Sequence, residues 1–133
     1  MSKLYEMHKQ TRTKKIKGYV SKAKEKMEQL NVYKMEFDST IQRYAEIQLQ
    51  YECLLDEWYE QGCPMTEEYT NKAGATNIRK TASYSLLENL RKELLELENI
   101  LGLTPKGLKT LKTKGLDSKK SSMLDKVLGN GNL

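Results

Sequence analysis

Apolar residues recur at helical spacing in three stretches of the chain, and each stretch predicts a helix. From about Lys9 to Gln29, the residues Ile16, Tyr19, Val20, Ala23 and Met27 line up as one narrow apolar stripe. Gly18 weakens this helix by about 1 kcal/mol relative to Ala. Asn31 is its expected stop. The second stretch opens at Asp38-Ser39-Thr40, where Asp38 or Ser39 suits the capping of a helix start. Ile41, Tyr44, Ile47, Tyr51, Leu54 and Trp58 follow at spacings of 3, 3, 4, 3 and 4, and Ala45, Leu55 and Tyr59 widen the stripe. Gly62, in a left-handed conformation, and then Pro64 should end it.

The third stretch runs from about Asn77 to Leu101. Leu87, Leu90, Leu94, Leu97 and Leu101 recur there at 3, 4, 3 and 4, with Leu86, Leu95 and Ile100 beside them. Residues 62–76 show little periodicity and read as a long connection, with a short extended piece near Met65 to Tyr69. After Leu101 comes a Lys- and Gly-spaced stretch to Gly115, then a short helix from Asp117 or Ser118 to Leu128 and a frayed end.

The fold class that follows is all-α. A long antiparallel helical hairpin over 38–101 forms the oligomerisation core. A basic helical segment over 1–34 precedes it, and a basic tail or short helix over 102–133 follows. Two helices cannot bury so many Leu, Tyr and Trp side chains alone, so the stripes predict an oligomer. The expected interface residues are Ile41, Tyr44, Tyr51, Leu54, Trp58, Leu87, Leu90, Leu94, Leu97 and Leu101.

Charge adds a second layer to this picture. The 133 residues carry 23 Lys plus Arg against 18 Asp plus Glu, a net of +5. The excess is unevenly placed. Residues 1–34 hold 10 basic and 3 acidic side chains, residues 35–68 hold 1 and 9, residues 69–101 hold 5 and 4, and residues 102–133 hold 7 and 2. Basic arms suit phosphate backbones, while an acidic middle is repelled by them. Arg12, Lys14, Lys15, Lys17, Lys22, Lys24 and Lys26 fall within 15 residues and are the candidate DNA-binding set, with the Ile16, Val20, Ala23 and Met27 stripe left to dock. The plain alternative is a solvated helix with pairs such as Lys24–Glu28. Lys106, Lys109, Lys112, Lys114, Lys119 and Lys120 form a second, weaker patch.

Candidate chemistry is sparse. His8 is the only imidazole and reads as a surface residue in the basic arm. With Cys53 and Cys63 it falls short of four closely spaced zinc ligands, so no metal or cofactor is expected. Two cysteines, no apolar leader and apolar runs of at most three residues lead to the expectation of a reducing cytoplasm, without signal peptide or membrane span. Gly102 to Gly107 has the glycine spacing of a phosphate-binding loop. However, Leu108 stands where the lysine is required, and Pro105 removes an amide from the cradle. Glu52, Asp56, Glu57 and Glu60 read as a solvated acidic face rather than a catalytic pair. The Tyr-rich stripe with Trp58 reads as core or interface rather than as a base-stacking platform. The expectation is a protein that is not an enzyme.

One stretch resembles a known family. The Leu-rich run Leu90-Arg91-Lys92-Glu93-Leu94-Leu95-Glu96-Leu97-Glu98-Asn99-Ile100 leads into Leu101-Gly102-Leu103-Thr104-Pro105. This resembles the small terminase subunits of tailed bacteriophages, one group of which ends a Leu-rich helix in Leu-Gly-Leu-Thr-Pro. The match covers about residues 78–111, and a weaker likeness in element order reaches back to about residue 36. Where the family often carries an Arg a few residues after the Pro, this chain has Lys106-Gly107-Leu108-Lys109.

The resemblance implies a non-enzymatic subunit that acts in the cytoplasm of the bacterial host. The implied subunit assembles as a homo-oligomeric ring. It binds double-stranded viral DNA at the packaging-initiation site, and it recruits and regulates the large terminase subunit, the ATPase and nuclease. By analogy the basic C-terminal tail meets the large subunit or the capsid side, although its lysines equally suit DNA. The same residues also read physically, with Gly102 ending the helix, Leu103 packing back on its last turn and Pro105 preventing resumption. The competing reading is a non-catalytic helical scaffold or adaptor whose basic ends hold an acidic protein partner.

Overall fold

The computed structural model describes residues 7–114. In chain order these form helix α1 (Lys9–Gln29), a short 3-10 turn (Met35–Phe37) and helix α2 (Asp38–Glu60). Strands β1 (Thr66–Thr70) and β2 (Thr76–Lys80) follow, then helix α3 (Ala82–Leu101). A further helix, α4, occupies residues 105–114. The expected short helix from residue 117 lies outside the described residues.

α2 is the middle helix and packs against α1 and against α3. Against α3 the register is antiparallel and repeats by heptads. The Tyr44 hydroxyl faces Glu98, Arg91 Nε donates to the Tyr51 hydroxyl at 3.1 Å, and the Trp58 ring stacks on Tyr84 with centroids 6.0 Å apart. Each step moves seven residues forward on α2 and seven back on α3. This is the spacing that keeps one seam in contact along two antiparallel helices.

Against α1, the Tyr19 hydroxyl donates to Glu52, whose other oxygen accepts from Gln48 Nε2 at 3.1 Å. Glu52 is thus a half-buried interhelical acceptor and not part of a solvated acidic face. The core joins all three helices, with Ala23 and Met27 of α1, Ile41 of α2 and Leu101 of α3 in one cluster.

The three long helices end by the same device. A residue of positive φ follows the cap or serves as it, and two backbone bonds close the end. At α1 the amides of Asn31 and Val32 reach Glu28 and Met27, and Asn31 has φ 59°. At α2, Gly62 and Cys63 reach Tyr59 and Trp58, with Gly62 at φ 88°. At α3, Gly102 and Leu103 reach Asn99 and Glu98, with Gly102 at φ 74°. These paired bonds satisfy carbonyls that a helix end leaves open. The expected stops at Asn31, Gly62 and Gly102 are all in place. Leu103 packs against the core cluster.

Four sequence expectations need correction. The chain is mostly helical but not all-α, because β1 and β2 pair antiparallel from Thr66 opposite Lys80 to Thr70 opposite Thr76. Helix α3 starts at Ala82, five residues later than the apolar pattern suggested. Its cap is Thr81, whose Oγ1 accepts from the Tyr84 amide at 3.2 Å. Helix α2 starts without a side-chain cap. Asp38 occupies its first turn, where an acid complements the helix dipole, and accepts from the Tyr33 hydroxyl at 2.6 Å. Finally, Pro105 does not prevent resumption but opens α4. Thr104 caps that helix, accepting from the Gly107 amide at 3.0 Å, and Pro105 takes the first helical position, where its missing N–H costs nothing. The Leu-Gly-Leu-Thr-Pro motif is therefore a helix stop fused to a helix start. Gly107 is required there because a Cβ would run into the backbone of Asn99.

Two predictions follow from this packing. Leu86 and Leu87 are neighbours in sequence, yet Leu86 is 53% exposed and Leu87 fully buried. Leu87→Ala should lower the unfolding free energy by about 2–5 kcal/mol, whereas Leu86→Ala should change protomer stability by less than about 0.5 kcal/mol. Urea unfolding of the two variants checks this. The second concerns Tyr44 and Tyr19. Burial first, and the facing carboxylates Glu98 and Glu52 second, push both phenols up, Tyr44 to about 12. A group whose pKa is raised on folding stabilises the fold below its unfolded pKa, near 10, and loses that contribution as pH rises through the folded value. Stability should therefore fall between pH 10 and about 12. The phenolate absorbance of the native protein should also rise later than that of the unfolded chain.

Candidate nucleic-acid interface

The basic residues of α1 sit on a helix whose last three turns are tied to the core through Ala23 and Met27, while its first turns carry little buried surface. No acidic residue stands in its first turn, and His8 caps it, with Nδ1 accepting from the Gln10 amide at 3.3 Å. The seven residues named from the sequence do not form one patch.

Lys14 and Lys17, with Lys9, Gln10 and Thr13, line a shallow hollow of about 380 Å³ on the exposed side. Lys22 and Lys26 line a second hollow of about 300 Å³ together with Tyr19, Tyr44, Gln48, Glu52, Glu98 and Leu103. Lys15 is exposed but lies on the α2 side, close enough to Cys53 to act on its thiol electrostatically. Lys24 is engaged within the chain, with Nζ 3.6 Å from Asp38 and 5.7 Å from the centre of the Tyr33 ring. Arg12 is half-buried.

Among the described residues, the first hollow is lined by lysines and neutral side chains and by no carboxylate. The second has Glu52 and Glu98 in its lining, which disfavours an anion. Lys9 belongs to the first hollow and was not in the sequence-derived set. The signal for it was present, since Lys9, Thr13 and Lys17 fall four residues apart, on one face. On α4 the side chains of Lys106, Lys109, Lys112 and Lys114 are all exposed. Lys119 and Lys120 lie outside the described residues.

The expected interface set divides in the same way. Ile41, Trp58, Leu87, Leu94, Leu97 and Leu101 are buried within the single chain, so they form the protomer core and offer nothing to a neighbour. Tyr44, Tyr51, Leu54 and Leu90 are half-exposed. The apolar surface left open on α3 comes from Leu86, Leu95 and Ile100, which the periodicity assigned only to the margins of the stripe. The physical reason is that α2 buries two sides at once. This uses more of the apolar surface inside one chain than a two-helix hairpin would.

Among the described residues no group of His, Cys, Asp and Glu is arranged to hold a metal, and no helix is long and apolar enough to cross a membrane. Cys53 is buried and Cys63 exposed, and both are free thiols.

Comparison with known protein families gives a match. The family model described as phage terminase, small subunit, matches residues 17–117. Neither the curated proteins nor the solved structures yield a match. The matched span takes in part of α1 with Lys17, Lys22, Lys24 and Lys26, all of α2 and α3, the β hairpin and α4, and it leaves Arg12, Lys14 and Lys15 outside. More than half of the sequence is covered, and the Leu101 to Pro105 junction lies inside it. The chain belongs to the phage terminase small-subunit family, whose role is in phage DNA packaging.

Proposed function

We propose that this protein is a non-catalytic DNA-recognition subunit. Its copies assemble into a closed ring and hold viral double-stranded DNA at the packaging-initiation site. The same assembly recruits and regulates the large terminase subunit that carries the ATPase and nuclease. The observation that carries the DNA assignment is the first hollow of α1, where Lys9, Lys14 and Lys17 stand together with Gln10 and Thr13 and without an acidic neighbour in the lining. The family's role in packaging supports the choice of DNA over an acidic protein as the polyanion. Leu86 and Ile100 are exposed on one flank of α3 and Leu95 on the other, apolar side chains that neighbouring subunits in such an assembly could cover. The exposed lysines of α4 give a second basic surface, available to DNA or to the large subunit.

This reading makes unequal predictions for lysines on the same helix. Each phosphate contact contributes about 0.9 to the slope of log affinity against log salt. Lys14→Ala with Lys17→Ala should therefore weaken binding to a viral end-region duplex and flatten that slope by about 1.8. Lys24→Ala should leave the slope as it is, because Lys24 is held by Asp38 and Tyr33. Fluorescence anisotropy at several salt concentrations distinguishes them. Equal slopes for the double variant and the unmodified protein would remove α1 from the DNA contact. Indifference of the unmodified protein to duplex at moderate salt would favour the adaptor reading.

A further inference from the structure

The hairpin of β1 and β2 stands apart from the helical core. Every residue of both strands is exposed. Its base is fixed at Pro64, whose carbonyl accepts from Trp58 Nε1 at 3.0 Å and from Thr81 Oγ1 at 2.7 Å. The ribbon is thus held firmly by the ends of α2 and α3, and among the described residues no further strand pairs with either of its long edges.

Those edges can be assigned. A cross-strand bond runs from the Thr81 amide to the Met65 carbonyl, and another from the Asn71 amide to the Ala75 carbonyl. In an antiparallel ladder alternate pairs turn their backbone groups inward. The pairs 67 with 79 and 69 with 77 therefore bond to each other. Thr66, Glu68 and Thr70 on one edge, and Thr76, Ile78 and Lys80 on the other, direct their N–H and C=O groups outward. Open edges of this kind accept a further strand, and a two-stranded ribbon is marginal by itself.

The two edges are opposite in charge. β1 carries Glu67 and Glu68 and no base, while β2 carries Arg79 and Lys80 and no acid. Ile78, 74% exposed, stands at the middle of the basic strand. Within the chain, Arg79 Nε bonds Glu67 at 3.0 Å and its guanidinium lies over the Tyr69 ring, while Lys80 bonds Glu88 of α3 at 2.8 Å. The internal pair of Glu67 with Arg79 would form equally well with the two residues exchanged, so it does not account for the sorting of charge by strand.

We propose that the occupant of these edges is a second copy of this chain, joined head to tail, with the β1 edge of one protomer pairing antiparallel with the β2 edge of the next. The acidic edge then meets a basic one at every junction, and Ile78 is covered by the neighbour's strand. Pairing of like edges would set two acidic or two basic strands side by side, which is unfavourable. A contact of this type uses different surfaces on the two partners, so repetition continues until the rotation closes. The inference rests on the oligomeric reading above and adds the contact that orients one subunit against the next.

The test uses full-length chains with Cys63→Ser as background, one carrying Glu68→Cys and the other Ile78→Cys, expressed singly and together. Light scattering reports assembly, and mild oxidation followed by a non-reducing gel reports contact. Covalent dimers are expected from the co-expressed pair and not from either variant alone. Dimers from a single variant would mean that like edges meet, which overturns the proposal. An oligomer without any cross-link overturns the hairpin contact and leaves the ring reading standing, while a monomer overturns both. In addition, E67K/E68K should shift assembly to smaller species at moderate salt. Adding R79E/K80E/E88K to it, which restores opposite edges and keeps the pair between residues 80 and 88, should recover the original mass. Unchanged assembly of E67K/E68K would count against the charge argument.

Discussion

Everything in this fold depends on α2 having partners on two sides. The seam with α3 advances by heptads through Tyr44, Tyr51 and Trp58, while the other side meets α1 through Tyr19 and Glu52. Burying both sides is what allows a chain of modest size to close a core around Met27, Ile41 and Leu101. It also explains why polar atoms cross the interfaces. Tyrosines place a large apolar ring in the seam and carry a hydroxyl to the rim, where a carboxylate or guanidinium is within reach. At Tyr19 and Tyr44, burial and the facing carboxylates raise the phenol pKa as that placement requires.

The same constraint sorts the charges. An acidic middle segment becomes the central helix, and two of its carboxylates are taken up by tyrosine hydroxyls, Glu52 by Tyr19 of α1 and Asp38 by Tyr33 of the connection between α1 and α2. The basic segment becomes an outer helix, tied to the core by Ala23 and Met27 in its C-terminal half and more exposed in its N-terminal half. A helix in that position can present Lys9, Lys14 and Lys17 to a polyanion, while its Tyr19 side faces Glu52 of α2. The sequence's charge asymmetry is thereby turned into a spatial one, as steering of a phosphate backbone requires.

The long helices were legible in the sequence because their apolar spacing is strong and their ends carry Asn31, Gly62 and Gly102, residues that tolerate positive φ. Of the hairpin, only an extended piece near Met65 to Tyr69 was legible, where β1 lies; its pairing with a second strand was not. Both of its faces are in water, so it lacks the alternation of apolar and polar residues that marks a half-buried strand. Its local signals were Asn71 and Gly74, whose turn is closed by bonds between Asn71 and Ala75, and the Thr, Tyr and Ile content of the strands. Pro105 was misread because a proline after a helix stop looks the same whether the chain ends there or begins again. Thr104 before it was the distinguishing residue. Among the candidate site residues, composition identified the right helix. It could not separate Lys24, held by Asp38, from Lys14 and Lys17, because that difference is set by tertiary neighbours.

The central claim is that this chain is an assembling DNA-binding subunit. The most direct measurement is its solution mass by light scattering at moderate salt, with and without a viral end-region duplex. The account predicts a single closed oligomer many times the 15.4 kDa protomer, gaining the mass of bound duplex when DNA is added. A protomer-sized particle whose mass is unchanged by duplex would contradict it.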